Sequence, residues 1–167
     1  MMQTQTKVPQ ELVITRTFDV PRDLVWKAWT EPERMKAWWG PREYTAPVIK
    51  MDVRVGGRFL GAMESSEGKR AWSKGTYKEI VPLQRIVVTD SFADENGNTV
   101  PASCYGMSGD WPDELLLTVT FEDYQGKTRM TLKHSGIRGI SETDFNNMKE
   151  GWNQTLDKLD EYLHKGR

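Results

Sequence analysis

FNNMKEGWNQTLDKLDEYL, residues 145–163, is the stretch on which the fold turns. Phe145, Met148, Trp152, Leu156, Leu159 and Leu163 recur at steps of three and four, the spacing of one apolar stripe along a long amphipathic helix. Ser141 is placed to cap its start, and Asp144 complements the exposed amides of the first turn. Lys158, Lys165 and Arg167 lie toward the end, where positive charge is favoured. Such a helix needs an apolar surface to cover its stripe.

That surface is written upstream in strand periodicity. In LVITRTFDV (12–20), Leu12, Ile14, Arg16, Phe18 and Val20 share one face, with Arg16 interrupting an otherwise apolar row. Pro21 has the fixed φ of a first helical position. LVWKAW then sets Leu24 with Ala28 and Val25 with Trp29 at i, i+4 spacing, predicting a short helix. The pattern T-x-x-E from Thr30 to Glu33 reads as a capping box that opens a second short helix. This helix carries Met35 and Trp38 inward and ends at Gly40-Pro41.

Beyond Tyr44, TAPVIKMDV, RFLGAME, AWSKGTYKEIV and RIVVTDSF read as strands punctuated by Gly56-Gly57, Glu67-Gly68 and Pro82. Parity near Gly57 and Gly75 stays open, because a bulge there exchanges inward and outward faces. Two more strands follow: ELLLTVTFED, with Leu115, Leu117, Val119 and Phe121 on one face, and KTRMTLKH, with Met130 and Leu132 on one. Gln125-Gly126 supplies the hairpin turn between them. DENGNTVPASCYGMSGDWPD (94–113) has no periodicity and reads as a long loop. The predicted class is α+β: a curved antiparallel sheet of about seven strands around a long C-terminal helix, with two short helices after the first strand. Residues 1–11 read as a flexible N-terminus and 12–167 as one domain. A sheet curved around a helix leaves a space between the two, widest where the short helices close the mouth.

Composition narrows the chemistry. A net charge of -1 from 23 basic and 24 acidic residues leaves no basic stripe for nucleic acid. The opening MMQTQTKVPQ lacks the apolar run of a signal peptide or membrane span, and the single Cys104 cannot form an internal disulfide. A cytoplasmic protein without a membrane partner is expected. Two histidines and one cysteine without H-E-x-x-H or C-x-x-C spacing predict no metal site. The glycine patterns of nucleotide loops are absent, so no cofactor is expected.

FDVPRDLVWKAWTEPERMKAWWGP (18–41), DVRVGGRF (52–59), GTYKEIVP (75–82), YGMSGDWP (105–112), LLLTVTFED (115–123), KTRMTLKHSG (127–136) and GWNQTLDKLDEYL (151–163) together resemble the START-like SRPBCC superfamily. Within it they resemble the single-domain prokaryotic type of the branch named for the activator of the heat-shock-protein-90 ATPase. The resemblance implies the helix-grip (START/Bet v-like) fold, with a cavity for an apolar ligand. It does not choose a function, since the superfamily includes lipid carriers, hormone receptors, polyketide cyclases and hydrolase-like members. The co-chaperone that names the branch also carries an N-terminal domain that contacts the chaperone, for which 167 residues leave no room.

Candidate ligand-contacting residues are Trp39, Trp38, Arg16, Tyr77, Leu117, Val119, Met130, Phe145, Met148 and Trp152. Of the adjacent indoles, Trp38 reads as buried beneath the short helices and Trp39 as part of the cavity mouth, with Gly40-Pro41 fixing the turn. Tyr105, Met107 and Trp111 are apolar residues in a loop, either a lid on the cavity or a surface for a partner. His134 shares a face with Met130 and Leu132, and Asp90 with Ile86 and Val88. The two form a conceivable acid–base pair, or are satisfied or solvent-exposed side chains. Arg16 either holds a ligand carboxylate or pairs with a carboxylate such as Glu79. Asp52 and Arg54 are placed to pair, and Cys104, without a base nearby in sequence, reads as inert.

The leading expectation is a binding protein for a small hydrophobic or aromatic, apolar or amphipathic molecule, acting as a monomer or homodimer. The alternatives are a cyclase- or hydrolase-like enzyme using the same cavity and a chaperone-associated protein-binding module.

Overall fold

Alternation and turn chemistry produce one antiparallel sheet in residues 10–107 and 111–165, the part of the chain described by the computed structural model. Its strands are β1 (Glu11–Phe18), β2 (Thr45–Met51), β3 (Arg58–Glu64), β4 (Arg70–Val81), β5 (Arg85–Ala93), β6 (Leu115–Tyr124) and β7 (Lys127–Ser135), in the spatial order β1-β7-β6-β5-β4-β3-β2. Helices α1 (Arg22–Thr30) and α2 (Pro32–Met35) follow β1, and α3 (Glu142–Lys165) closes the chain. Gln125 (φ 54) and Gly126 (φ 81) make the two-residue turn that pairs β6 with β7.

The inward faces are those that parity predicts. Leu12, Ile14 and Phe18 of β1, Leu115, Leu117, Val119 and Phe121 of β6, and Met130 and Leu132 of β7 are all buried. Leu156, Leu159 and Leu163 of α3 lie against the same core, joined by Val25, Ala28 and Trp29 of α1. Each fully buried leucine contributes about 1.5–3 kcal/mol relative to an exposed one, and these contacts hold the second half of α3 down on the sheet. The Ser141 Oγ accepts the Asp144 N–H at 3.0 Å, capping α3 as expected. Arg54 and Asp52 pair at 2.7 Å.

Several local expectations are corrected. Thr30 is not a helix cap: its hydroxyl donates back to the Trp26 carbonyl at 2.9 Å, so it finishes α1 instead of opening α2. α2 starts from Glu31 without a side-chain cap, and it ends at Met35, before Gly40-Pro41. Pro21 stands one residue before α1, in extended conformation. Gln10 and Glu11, read from the sequence as part of a flexible N-terminus, are tied to the sheet: β1 pairs with β7 from Glu11, and the Gln10 carbonyl accepts the Ile137 N–H at 3.1 Å. Residues 1–9 and Arg167 lie outside the described residues, as do 108–110 of the long loop. That loop also contains a 3-10 turn, Ala102–Tyr105.

A register shift between Tyr77 and Glu79 gives β4 one extra residue opposite β5. Just before it the strands touch closely: a Cβ on Gly75 would lie 2.0 Å from the Thr89 carbonyl oxygen. The Thr89 hydroxyl accepts the Thr76 N–H at 2.8 Å.

The turn after α2 is sewn to α3. Lys158 donates from its ammonium to the carbonyls of Gly40 (3.0 Å), Pro41 (3.3 Å) and Tyr44 (3.0 Å). Arg42 pairs with Glu161, and its N–H reaches Gln154 Oε1 at 3.2 Å. Burial holds the Lys158 ammonium below the usual lysine range, Arg42 adds to this, and Glu161 opposes it.

Two variants test this account by urea unfolding followed through tryptophan fluorescence. Gly75→Ala is expected to lose about 1–3 kcal/mol, the cost of forcing atoms into a filled site. Lys158→Met is expected to lose about 1–3 kcal/mol, because three carbonyls forfeit a charged donor.

Candidate functional site

The first half of α3 does not close onto the sheet. A half-open cleft of about 250 Å³ lies there, bounded by Trp39, Gly40 and Pro41 of the turn, Met63 of β3, Ser73 of β4, Asp90, Ser91 and Phe92 of β5, Leu115 of β6 and His134 of β7. Met107, Trp111 and Pro112 of the long loop form another wall. The helix contributes Asp144, Asn147, Met148, Gly151, Trp152 and Thr155. A second space of about 50 Å³ lies alongside, lined by Trp29, Met35, Phe59, Tyr77, Ile86, Val88, Thr89, Leu117 and Val119. Trp39, Asp90 and Trp152 border both.

The walls are an aromatic lattice. Trp39 meets Trp38 (centroids 5.6 Å apart), Trp152 (5.6 Å, near perpendicular at 83°) and Phe59 (5.6 Å). Across the cleft, Phe92 packs edge-on against Trp111 at 5.7 Å. Edge-to-face contacts of this kind fix ring planes as well as positions. Met107 and Met148 add flexible, polarizable surface.

Strand parity puts the polar groups on the same face. His134 stands opposite Leu117, and Asp90 opposite Leu115, so β6 runs between them while both side chains project from the covered side. His134 is 4% exposed. The Trp152 indole N–H donates to its Nδ1 at 3.2 Å, which makes Nδ1 an acceptor and leaves the proton of the neutral ring on Nε2. Asp90 Oδ2 lies 2.9 Å from Nε2. Nε2 forms no hydrogen bond even so, and the contact is a close approach of the carboxylate to the ring. On the helix side, Asp144 Oδ2 accepts the Trp111 indole N–H at 3.1 Å, tying the loop to α3. In the smaller space, burial and then the Asp52 charge push the Tyr77 phenol well above its ordinary pKa.

The cleft therefore brings together Trp39, Met148, Trp152, Met107, Trp111, His134 and Asp90 of the expected residues. Tyr77, Leu117 and Val119 line the smaller space. Others lie elsewhere. Trp38 is fully buried and donates its indole N–H to the Ala28 carbonyl at 3.2 Å, so it is core. Met130 is likewise fully buried, and Phe145 packs against the core cluster. Arg16 faces inward but meets the second half of α3: it is 2.8 Å from Asp157 and donates to the Asn153 carbonyl (3.0 Å) and side chain (3.2 Å). Glu79 pairs with Arg85 instead, at 3.2 Å. The Tyr105 hydroxyl donates to the Ala93 carbonyl and accepts the Trp72 N–H, placing its ring behind Phe92.

Sequence reasoning missed Phe92, Met63 and the helix residues Asp144, Asn147, Gly151 and Thr155. The last four carry a readable signal, a second stripe of small and polar residues at steps of three and four beside the apolar one. Among the described residues no helix is long and apolar enough to cross a membrane, and no group of three or more His, Cys, Asp or Glu side chains is placed to hold a metal ion.

No curated protein matches the chain. Solved structures do. A protein from Nitrosomonas europaea is 23% identical with TM-score 0.76, over 94% of this chain and 96% of its own. One from Chromobacterium violaceum is 24% identical with TM-score 0.75, over 93% and 98%. The AHSA1 protein of Silicibacter pomeroyi is 21% identical with TM-score 0.72, over 94% and 99%. At these identities the likeness establishes the helix-grip fold. The family model described as Activator of Hsp90 ATPase homolog 1-like protein matches residues 19–164, so the chain belongs to that family.

Proposed function

We propose that the protein binds a small, largely apolar aromatic molecule in the cleft between the sheet and the first half of α3. The observation that carries this reading is the cleft of about 250 Å³ with Trp39, Trp152, Trp111 and Phe92 on its walls. An engineered apolar cavity of about 150 Å³ accepts benzene, so this space suits a two-ring body. Mostly apolar walls with a few convergent polar groups are the usual composition of a small-molecule site.

Binding is measured by intrinsic tryptophan fluorescence and by melting temperature against neutral two-ring aromatics. Quenching is expected, with a rise in Tm of several degrees when ligand is in about hundredfold excess over Kd, equivalent to about 2.7 kcal/mol. Trp39→Ala is expected to weaken binding about tenfold. A panel that moves neither signal at millimolar concentration overturns the reading.

The 2.9 Å approach of Asp90 to His134 on the cleft wall favours a second reading, a hydrolase- or cyclase-like enzyme in which this pair moves a proton. Turnover of neutral aryl esters that falls at least a hundredfold in both His134→Gln and Asp90→Asn supports it. Rates equal to buffer count against it. The chaperone-associated reading draws on the family description. Against it, the aromatic residues of the long loop are turned onto their own domain, with Tyr105 bonded to Ala93 and Trp111 to Asp144.

A further inference from the structure

We propose that the ligand presents a neutral hydroxyl to the His134–Asp90 pair, making it an aromatic alcohol in preference to an aromatic acid or amine. This rests on the small-molecule reading above and specifies its chemistry.

The first observation is an orphaned donor. His134 is 4% exposed and lines the cleft, its tautomer is set by the Trp152 indole, and its Nε2 forms no hydrogen bond among the described residues. A buried donor without an acceptor is costly unless another molecule supplies one. The second is an acceptor beside it: Asp90 Oδ2 is 2.9 Å from Nε2, and its side chain, 33% exposed, borders both spaces. One group that both accepts and donates completes this arrangement. A hydroxyl oxygen takes the Nε2–H and returns its own proton toward Asp90.

Charge excludes the competitors. Among the described residues the lining contains the carboxyl groups of Asp90 and Asp144 and no lysine or arginine. A ligand carboxylate would enter beside acids with no cation on the lining itself, the Lys158 ammonium behind Gly40 and Pro41 being already held by three carbonyls. An ammonium would suit Asp90 but brings only donors, and so leaves Nε2–H without an acceptor. The indoles of Trp39 and Trp152 hold the ring system whichever group it carries.

The test is isothermal titration calorimetry with 2-methylnaphthalene, 2-naphthalenemethanol, 2-naphthoate and 2-naphthylmethylammonium at neutral pH. The alcohol is expected to bind at least tenfold tighter than the other three. In Asp90→Ala that preference is expected to disappear, the alcohol binding no tighter than 2-methylnaphthalene, with an unchanged circular dichroism spectrum reporting that the variant is folded. On the wild-type protein, nitrogen-15 spectra of the histidine rings give an independent measurement: the alcohol is expected to move the Nε2 signal of His134 and 2-methylnaphthalene to leave it. Equal binding of all four, tighter binding of the acid or the amine, or an unmoved Nε2 signal overturns this inference and leaves the small-molecule reading standing. Binding of none overturns both.

Discussion

The ammonium of Lys158 holds the rim of the cleft in place. It donates to the carbonyls of Gly40, Pro41 and Tyr44, which belong to a turn with no regular secondary structure of its own to satisfy them. Gly40, at φ +94, is what bends the chain so that these carbonyls converge. Removing a lysine partly from water disfavours its charged form, and the lowered pKa records that cost. Three carbonyl dipoles aimed at the nitrogen offset it. The result is a fixed distance between the turn and α3, and that distance sets where the Trp39 indole stands. Arg42, paired with Glu161 on the outer side, braces the same turn from solvent, where a single ion pair is worth little alone.

α3 does two things with one periodicity. From Leu156 onward its stripe is leucine, and those side chains are buried in the core against the sheet. Before Thr155 the face turned to the sheet carries Asp144, Asn147, Met148, Gly151 and Trp152, and a space remains. Gly151 leaves the wall of the cleft thin where the turn approaches, although a Cβ there would stand in ordinary contact with Pro41 at 3.5 Å. Core and site are thus successive turns of one helix, separated by side-chain volume and not by a change of backbone.

This division explains which parts of the molecule were legible in the sequence. Strand alternation is local, and burying one face of each strand preserves it, so β1, β6 and β7 present the residues that parity assigned. The α3 stripe and the Gln125-Gly126 hairpin are local in the same way. Partners distant in the chain are another matter. Arg16 was correctly placed on the inner face, yet its partners Asn153 and Asp157 come from a helix 137 or more residues later, and no pattern near Arg16 announces them. Lys158 reads as one more positive charge toward a helix end until the turn that it grips is known. The T-x-x-E pattern failed for a local reason: the Thr30 hydroxyl can bond backward to Trp26 as well as forward, and the continuing turn of α1 supplied the backward partner first. The adjacent indoles separated as their neighbours required. Trp38 finds the Ala28 carbonyl inside, while Trp39, one residue on, is left at the boundary of two spaces.

The fold alone selects no function, because a curved sheet on a helix accommodates carriers and enzymes alike. Selection comes from the few polar atoms at the cleft wall and how firmly they are oriented. Trp152 orients His134 through Nδ1, and the Trp39 ring, standing across Trp152 at 83°, limits how far that indole can turn. Trp39 in turn stands on the turn that Lys158 grips. The direction of the Nε2–H is therefore fixed by a chain of contacts beginning at Lys158 of α3. A donor held this way discriminates more sharply than apolar walls do, because a molecule that fits the walls but offers no acceptor leaves a buried polar group unpaired. For the ligand proposed above, the aromatic lattice would supply adhesion of low selectivity, and His134 with Asp90 would supply the choice.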